Sequence, residues 1–227
     1  MSDTRIAIFA SGSGSTAEAF LRSVYAQKYP LQSTLIVTNN PNALVLQRAE
    51  QLNAELGLGL VTAVVNSHTQ AAAHPIIRGE QTEEEQRAIV SLLAQHRTDL
   101  VLLLGYMKRI GQTILEPYGW LPHYTSVYQA RMLNTHPGLL PATVGTHGRG
   151  TQEFTLTQGM AEAGQTLHAV AAEYDTGPTV AEHRVPVQPN DTPDSLFARV
   201  QAAEKQYLAA DVMAFVTAQK EYQNSHE

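Results

Sequence analysis

Three segments of the chain hold groups that could act together in one reaction site. The first is Asn134-Thr135-His136-Pro137-Gly138-Leu139-Leu140-Pro141. Asn134 and His136 are two residues apart, so at the end of an extended strand they project to the same side. An amide donor and an imidazole aimed at one point stabilise developing negative charge and move a proton. Pro137, Gly138 and Pro141 stiffen the chain that follows. The second segment is Asp175-Thr176-Gly177-Pro178, a turn that offers a carboxylate. Taken singly, a histidine beside a loop is commonly a packed or surface residue, and a turn aspartate commonly serves its own backbone. Chemistry requires that they meet.

The third segment, Ser11-Gly12-Ser13-Gly14-Ser15, lies between a short apolar run and a helical pattern. Gly12 and Gly14 permit backbone angles that expose amide N–H groups, Ser15 and Thr16 add hydroxyls, and the following helix turns its positive end to the same place. Such a turn suits an anion; a turn without a ligand is compatible with the same residues. Gly12-x-Gly14-x-x-Ala17 also fits a loose dinucleotide fingerprint. The next strand, however, ends in Thr38-Asn39-Asn40-Pro41, with neither the acid for a ribose hydroxyl nor the arginine for a 2'-phosphate, which argues against a nicotinamide cofactor. No Gly-Lys-Ser/Thr follows the glycines, which excludes a Walker A loop.

The elements that must position these groups follow from hydrophobic periodicity. Arg5 to Ala10, Leu31 to Val37, Leu60 to Val65 and Asp99 to Leu104 read as strands. Thr16 to Gln27, Ala43 to Leu56 and a segment opening at Thr82-Glu83-Glu84-Glu85 read as helices. That alternation predicts an α/β fold: an open, mostly parallel twisted sheet of Rossmann-like type with helices on both faces. Asn66 to Glu80 reads as a loop, and the chain is irregular from Tyr118 to Gly150. Thr166 to Ala172 and Thr179 to Val187 read as two more strands, and Pro193 to about Lys220 as a closing helix capped by Asp191-Thr192, with a polar tail. Ser11–Ser15, Asn39, Gly105–Ile110, Asn134–His136 and Asp175 all follow expected strands, whose carboxyl ends share one edge in a parallel sheet, where ligands bind.

Composition narrows the function classes. The 227 residues, 43% of them hydrophobic, suffice for one sizeable core, so a single domain over residues 1–227 is expected. Fifteen Lys+Arg against 21 Asp+Glu leave a net charge of -6, which argues against nucleic acid as a partner. There is no cysteine, so thiolate nucleophiles, disulfides and Cys-ligated zinc are excluded. The nine histidines show neither H-x-x-x-H nor H-E-x-x-H spacing, and His123, His147, His168 and His183 are scattered, so no metal is expected. No G-x-S-x-G elbow is present. The amino terminus lacks the pattern of a signal peptide and no run approaches the ~18 apolar residues of a membrane span, so the cytoplasm is the expected location.

The motifs together resemble the folate-dependent formyltransferase family. Asn134-x-His136-Pro137-x-Leu139-Leu140-Pro141 followed by Asp175-x-Gly177-Pro178 is similar to that family's paired signature. Gly105-Tyr106-Met107 with Arg109-Ile110 resembles its folate-side segment, and Val185-Pro186-Val187, Asp191-Thr192, Arg199-Val200, Glu204 and Tyr207 its closing segment. The resemblance runs to about Val216. It implies transfer of a formyl group from the cosubstrate 10-formyltetrahydrofolate to the amine of glycinamide ribonucleotide in purine synthesis. Asn134 would then hold the formyl oxygen, His136 would stabilise the oxyanion, and Asp175 would orient the imidazole and guide water. Gly12, Ser13, Gly14, Ser15 and Thr16 would grip the substrate phosphate and Glu204 its sugar or glycinamide end. Tyr106, Met107, Lys108, Arg109 and Ile110 would face the folate.

The chain also departs from the family. Its loop ends in Ser15-Thr16 where the family has Ser-Asn, Lys108 stands as an extra residue between Met107 and Arg109, Tyr118–Arg131 is longer than usual, and Asn66–Glu80 has no counterpart. Another acceptor amine, a deformylase that gives the formyl group to water, and a non-catalytic nucleotide-binding module remain as alternatives. The expected partners are a phosphorylated small-molecule amine and folate, with no membrane and no nucleic acid; a homodimer is open.

Overall fold

A computed structural model describes residues 3–226. The chain forms β1 (Thr4–Phe9), α1 (Ser15–Gln27), β2 (Leu31–Thr38), α2 (Leu44–Leu56), β3 (Val61–Val64), α3 (Glu83–Gln95), β4 (Leu100–Leu103), α4 (Gln112–Tyr118), β5 (Met132–His136), α5 (Arg149–Thr157), β6 (Glu162–Ala169), β7 (Thr179–Pro186) and α6 (Pro193–Asn224), with a short 3-10 turn at Val127–Gln129. The seven strands lie in the order β3-β2-β1-β4-β5-β6-β7. The first five are parallel, whereas β6 pairs antiparallel with β5, and β7 with β6.

Strand alternation divides the core into two layers. Ile6, Ile8, Ile36, Leu100, Leu102, Leu133 and Leu167 face α1, α2 and α6, where they pack on Phe20, Leu21, Leu52, Leu208, Val212 and Phe215. Their neighbours Ala7, Phe9, Leu35, Val37, Val101, Leu103 and Met132 face α3 and α4 through Ile89, Leu93, Ile114 and Leu115. All four residues of β4 are buried, as its unbroken apolar run predicts. The expected open sheet with helices on both faces is the observed architecture.

Local signals account for most boundaries. Thr82 caps α3 through a capping box with Glu85, and Thr192 caps α6 in the same way with Ser195, with Pro193 in the first turn. Three features depart from the sequence reading. α4 and α5, for which no helix was expected, flank the irregular stretch, α4 ending at Tyr118 and α5 beginning at Arg149. β6 begins at Glu162 and ends at Ala169, earlier than expected at both ends. Because β6 is antiparallel and its Ala169 stands level with Leu133, its carboxyl end does not share the edge of the parallel strands. Asp175 therefore reaches the site by another route.

Candidate active site

The carboxyl ends of β1, β4 and β5, the loop after β6 and one face of α6 enclose a cleft of about 550 Å³, within the usual range for small-molecule sites. Gly12, Ser13, Gly14, Ser15 and Thr16 line one part, Tyr106 to Ile110 another, and Asn134, His136, Asp175 and Glu204 lie between and beside them. Every residue expected from the sequence to act thus borders one cavity.

At its centre, the parallel register sets Leu103 beside Asn134, and the antiparallel register sets Asn134 beside His168. Asn134 Nδ2 lies 3.0 Å from His168 Nε2, while His168 Nδ1 lies 2.9 Å from Ala169 O. A single tautomer satisfies both contacts: His168 Nδ1–H donates to the carbonyl and Nε2 accepts from the amide, which leaves Asn134 a second N–H. His136, buried at the end of β5, turns Nδ1 toward Asp175 Oδ2 at 3.4 Å and Nε2 toward Thr143 Oγ1 at 2.9 Å. The other oxygen of Asp175 is 3.5 Å from His168 Nε2.

Asp175 arrives here because the chain after β6 turns back over the sheet. Ala169 N–H donates to Pro178 O, Arg109 donates to Ala172 O at 2.8 Å, and Asp175 adopts a left-handed φ of 56°, a conformation that aspartate tolerates better than most residues. Burial pushes its carboxyl up, but the neighbouring His168 and His136 rings and a backbone hydrogen bond from Gly145 outweigh this and hold it below the usual carboxylate range. Burial lowers the His136 imidazole against the opposing pull of Asp175, and His168 lowers it further. The resting pair is an ionised carboxylate facing a neutral imidazole.

In the glycine turn, only one glycine exploits the freedom expected of both. Gly14 has φ +70°, and a Cβ there would stand 2.5 Å from Val45 Cγ2 and 2.9 Å from Val45 Cα; at Gly12 a Cβ would meet nothing within 4 Å. Helix α2 braces the turn from behind: Val45 N–H donates to Gly12 O at 3.2 Å and Arg48 Nε to Ser13 O at 2.8 Å. Ser11 links it sideways, donating to Asn39 Oδ1 and accepting from Met107 N–H at 2.9 Å. The N-cap of α1, Gly14, offers no side-chain cap, and Ser13 Oγ reaches Ser15 N–H only at 3.4 Å, so the positive end of the helix is open to the cleft. Thr16 Oγ1 donates to Glu204 Oε2 at 3.0 Å. Burial raises the Glu204 carboxyl despite hydrogen bonds from Thr135 and Thr16.

The segment after β4 lines the cleft while several of its side chains are held by other elements. Tyr106 packs edge-on against Phe9, accepts from Gln81 Nε2 at 3.2 Å and has its hydroxyl pushed up to about 12 by burial. Ile110 is buried in the α3–α4 layer. Lys108, the departure in this segment, reaches α3 and places Nζ 2.7 and 2.6 Å from the two oxygens of Glu85. Met107 remains exposed, and Arg109 lies over the Tyr174 ring. The Asn66–Glu80 loop flanks this segment, with Arg109 N–H donating to Gly79 O at 2.7 Å.

Because the Glu85 side chain is only 1% exposed, Lys108→Met strands a buried carboxylate and is expected to lower stability by about 3–5 kcal/mol. Urea unfolding checks this: a midpoint equal to that of the parent would show that the pair does not anchor the segment.

His168 and Thr143 were not expected as site residues. His168 stands among scattered histidines in the sequence, and its place beside Asn134 depends on strand register. Thr143 meets His136 only through the fold of the loop after Pro141. Among the described residues no group of three or more His, Cys, Asp or Glu could hold a metal ion, and no helix is long and apolar enough to cross a membrane.

An open, mostly parallel sheet thus gathers an amide, an imidazole and a carboxylate beside one cleft, and the chain belongs to the formyl transferase family, which matches residues 4–212. It is 30% identical to the phosphoribosylglycinamide formyltransferase of Bacillus subtilis over 89% of this chain and 90% of that protein. It is 31% identical to the Mycobacterium tuberculosis protein of the same name, over 94% and 85%. The solved phosphoribosylglycinamide formyltransferases of Bacillus halodurans and Brucella melitensis superpose with a TM-score of 0.76 each, at 30% and 31% identity, covering 94% of this chain and 95% of theirs.

Proposed function

We propose that this chain is a single catalytic domain of the cytoplasm that transfers the formyl group of 10-formyltetrahydrofolate to the amine of glycinamide ribonucleotide. The observation that carries the reading is the convergence of Asn134, His136 and Asp175 at one point of a cleft with an open helix start at one end. A phosphate suits the amides of Gly14, Ser15 and Thr16, and Glu204 lies where a sugar hydroxyl or amine would follow. The folate suits the other arm, where the Tyr106–Ile110 segment offers backbone groups to a flat heterocycle.

In the reaction, the acceptor nitrogen bonds to the formyl carbon, the bond from that carbon to the folate nitrogen breaks, and one proton passes from the acceptor amine to the departing folate nitrogen. The barrier lies in the oxyanion formed between the two steps. The free N–H of Asn134 lowers it by donating to that oxygen, and Nδ1–H of His136, whose long 3.4 Å contact to Asp175 Oδ2 leaves it to be shared with the oxyanion, adds to this, a contribution of several kcal/mol. Asp175 holds the imidazole proton on Nδ1 and supplies a base for the proton in transit. Holding both substrates in one cleft supplies orientation.

The test is to follow tetrahydrofolate formation with a panel of amines. Product is expected with glycinamide ribonucleotide and not without an acceptor. Product in the absence of any amine would instead establish a deformylase. No product with any amine would leave a binding module.

A further inference from the structure

His136 has a second partner, on the side away from the cleft. Its Nε2 meets Thr143 Oγ1 at 2.9 Å. Thr143 has no exposed surface and its Oγ1 also lies 3.1 Å from Leu139 O. Gly138 makes room for the contact, since a Cβ there would stand 2.2 Å from Thr143 Oγ1 and 2.9 Å from His136 Nε2. The hydroxyl has one proton and two lone pairs, and its two neighbours give that proton two destinations.

With the ring neutral and its proton drawn to Nδ1 by Asp175, Nε2 is a buried lone pair that needs a donor, and Thr143 O–H supplies it. With the ring charged, Nε2–H needs an acceptor. Thr143 then turns its proton to Leu139 O and accepts. We propose that Thr143 is a positioning residue that anchors Nε2 in both protonation states and so keeps Nδ1–H of His136 presented to the cleft throughout the reaction. The other titratable groups facing the ring are Asp175 and His168, and neither can serve this role, because both lie on the cleft side.

This inference rests on the role given to His136 above, and its test is chosen to separate the two. Thr143→Val keeps the shape and removes the hydroxyl, while Thr143→Ser retains it. Without substrates, the 15N shifts of the His136 ring report which nitrogen carries the proton and at what pH the ring charges. The parent is expected to show a neutral ring protonated at Nδ1. Hydrogen bonds to charged groups are the stronger ones, so Thr143→Val loses more from the imidazolium than from the neutral ring. Its His136 titration moves to lower pH, and its neutral ring becomes a mixture of tautomers. Turnover falls about tenfold, the cost of one such bond, with KM for both substrates little changed, and Thr143→Ser restores all three readouts. Unchanged ring shifts in Thr143→Val, or a serine variant as impaired as the valine one, overturns the proposal. Absence of formyl transfer by the parent protein overturns the enzymatic reading and leaves the ring measurement standing.

Discussion

Replacing Asp175 by asparagine is expected to lower kcat for formyl transfer by about two to four orders of magnitude, the usual weight of a positioned acid–base group, with the fold retained. Asparagine is the discriminating substitution because it keeps the size of the side chain and, like aspartate, tolerates the left-handed backbone at φ 56°. It removes the charge. One amide face must present N–H groups where a carboxylate now faces His136 Nδ1 and His168 Nε2. The imidazole proton then has no anionic acceptor to hold it on Nδ1, and a charge developing on His136 has no counter-ion. Thermal unfolding together with steady-state kinetics decides the matter: a variant that folds like the parent and turns over within about threefold of it removes Asp175 from the mechanism.

The second large effect is expected at Gly14. An alanine there meets two penalties together, a left-handed φ of +70° and a Cβ 2.5 Å from Val45 Cγ2 and 2.9 Å from the Val45 backbone. Val45 belongs to the first turn of α2, which also holds Gly12 O and Ser13 O in place, so the turn and not the helix must yield. Its amides then leave the positions in which they suit a phosphate. The loss of one or two charge-assisted hydrogen bonds at roughly 1.5–3 kcal/mol each corresponds to about a hundredfold rise in KM for the phosphorylated acceptor. A dephosphorylated acceptor, already deprived of those bonds, is expected to be affected far less, and the folate KM to stay near that of the parent. An equal rise for both acceptors would show that the glycine turn serves the fold alone.

Much of the scaffold was legible because it is written in local chemistry. The capping residues Thr82 and Thr192, the apolar run of β4 and the alternation of strand and helix each depend on residues near one another in the chain. The same holds for the glycine turn, whose position between β1 and α1 is a local fact. The helices α4 and α5 were not legible. Pro117 lies inside the first and Gly148 and Gly150 at the start of the second, so the residues that ordinarily mark a loop stand within or beside a helix stabilised by packing. Lys108 likewise read as an extra residue of the folate-side segment, whereas its ammonium lies against Glu85, 23 residues away.

The sequence by itself determined which chemistry is possible: an amide, an imidazole and a carboxylate in motifs that resemble the formyltransferases, an anion-binding turn, no thiol and an acidic net charge. Those properties belong to residue types and short spacings. The tertiary structure alone decided which groups touch. The antiparallel turn of β6 puts His168 against Asn134, the fold-back after Ala169 delivers Asp175 to His136, and the loop after Pro141 sets Thr143 behind the imidazole. Strand register and chain direction are fixed by burial across the whole sheet, where a slip of one residue would exchange the core face for the other. No short stretch of sequence contains that information.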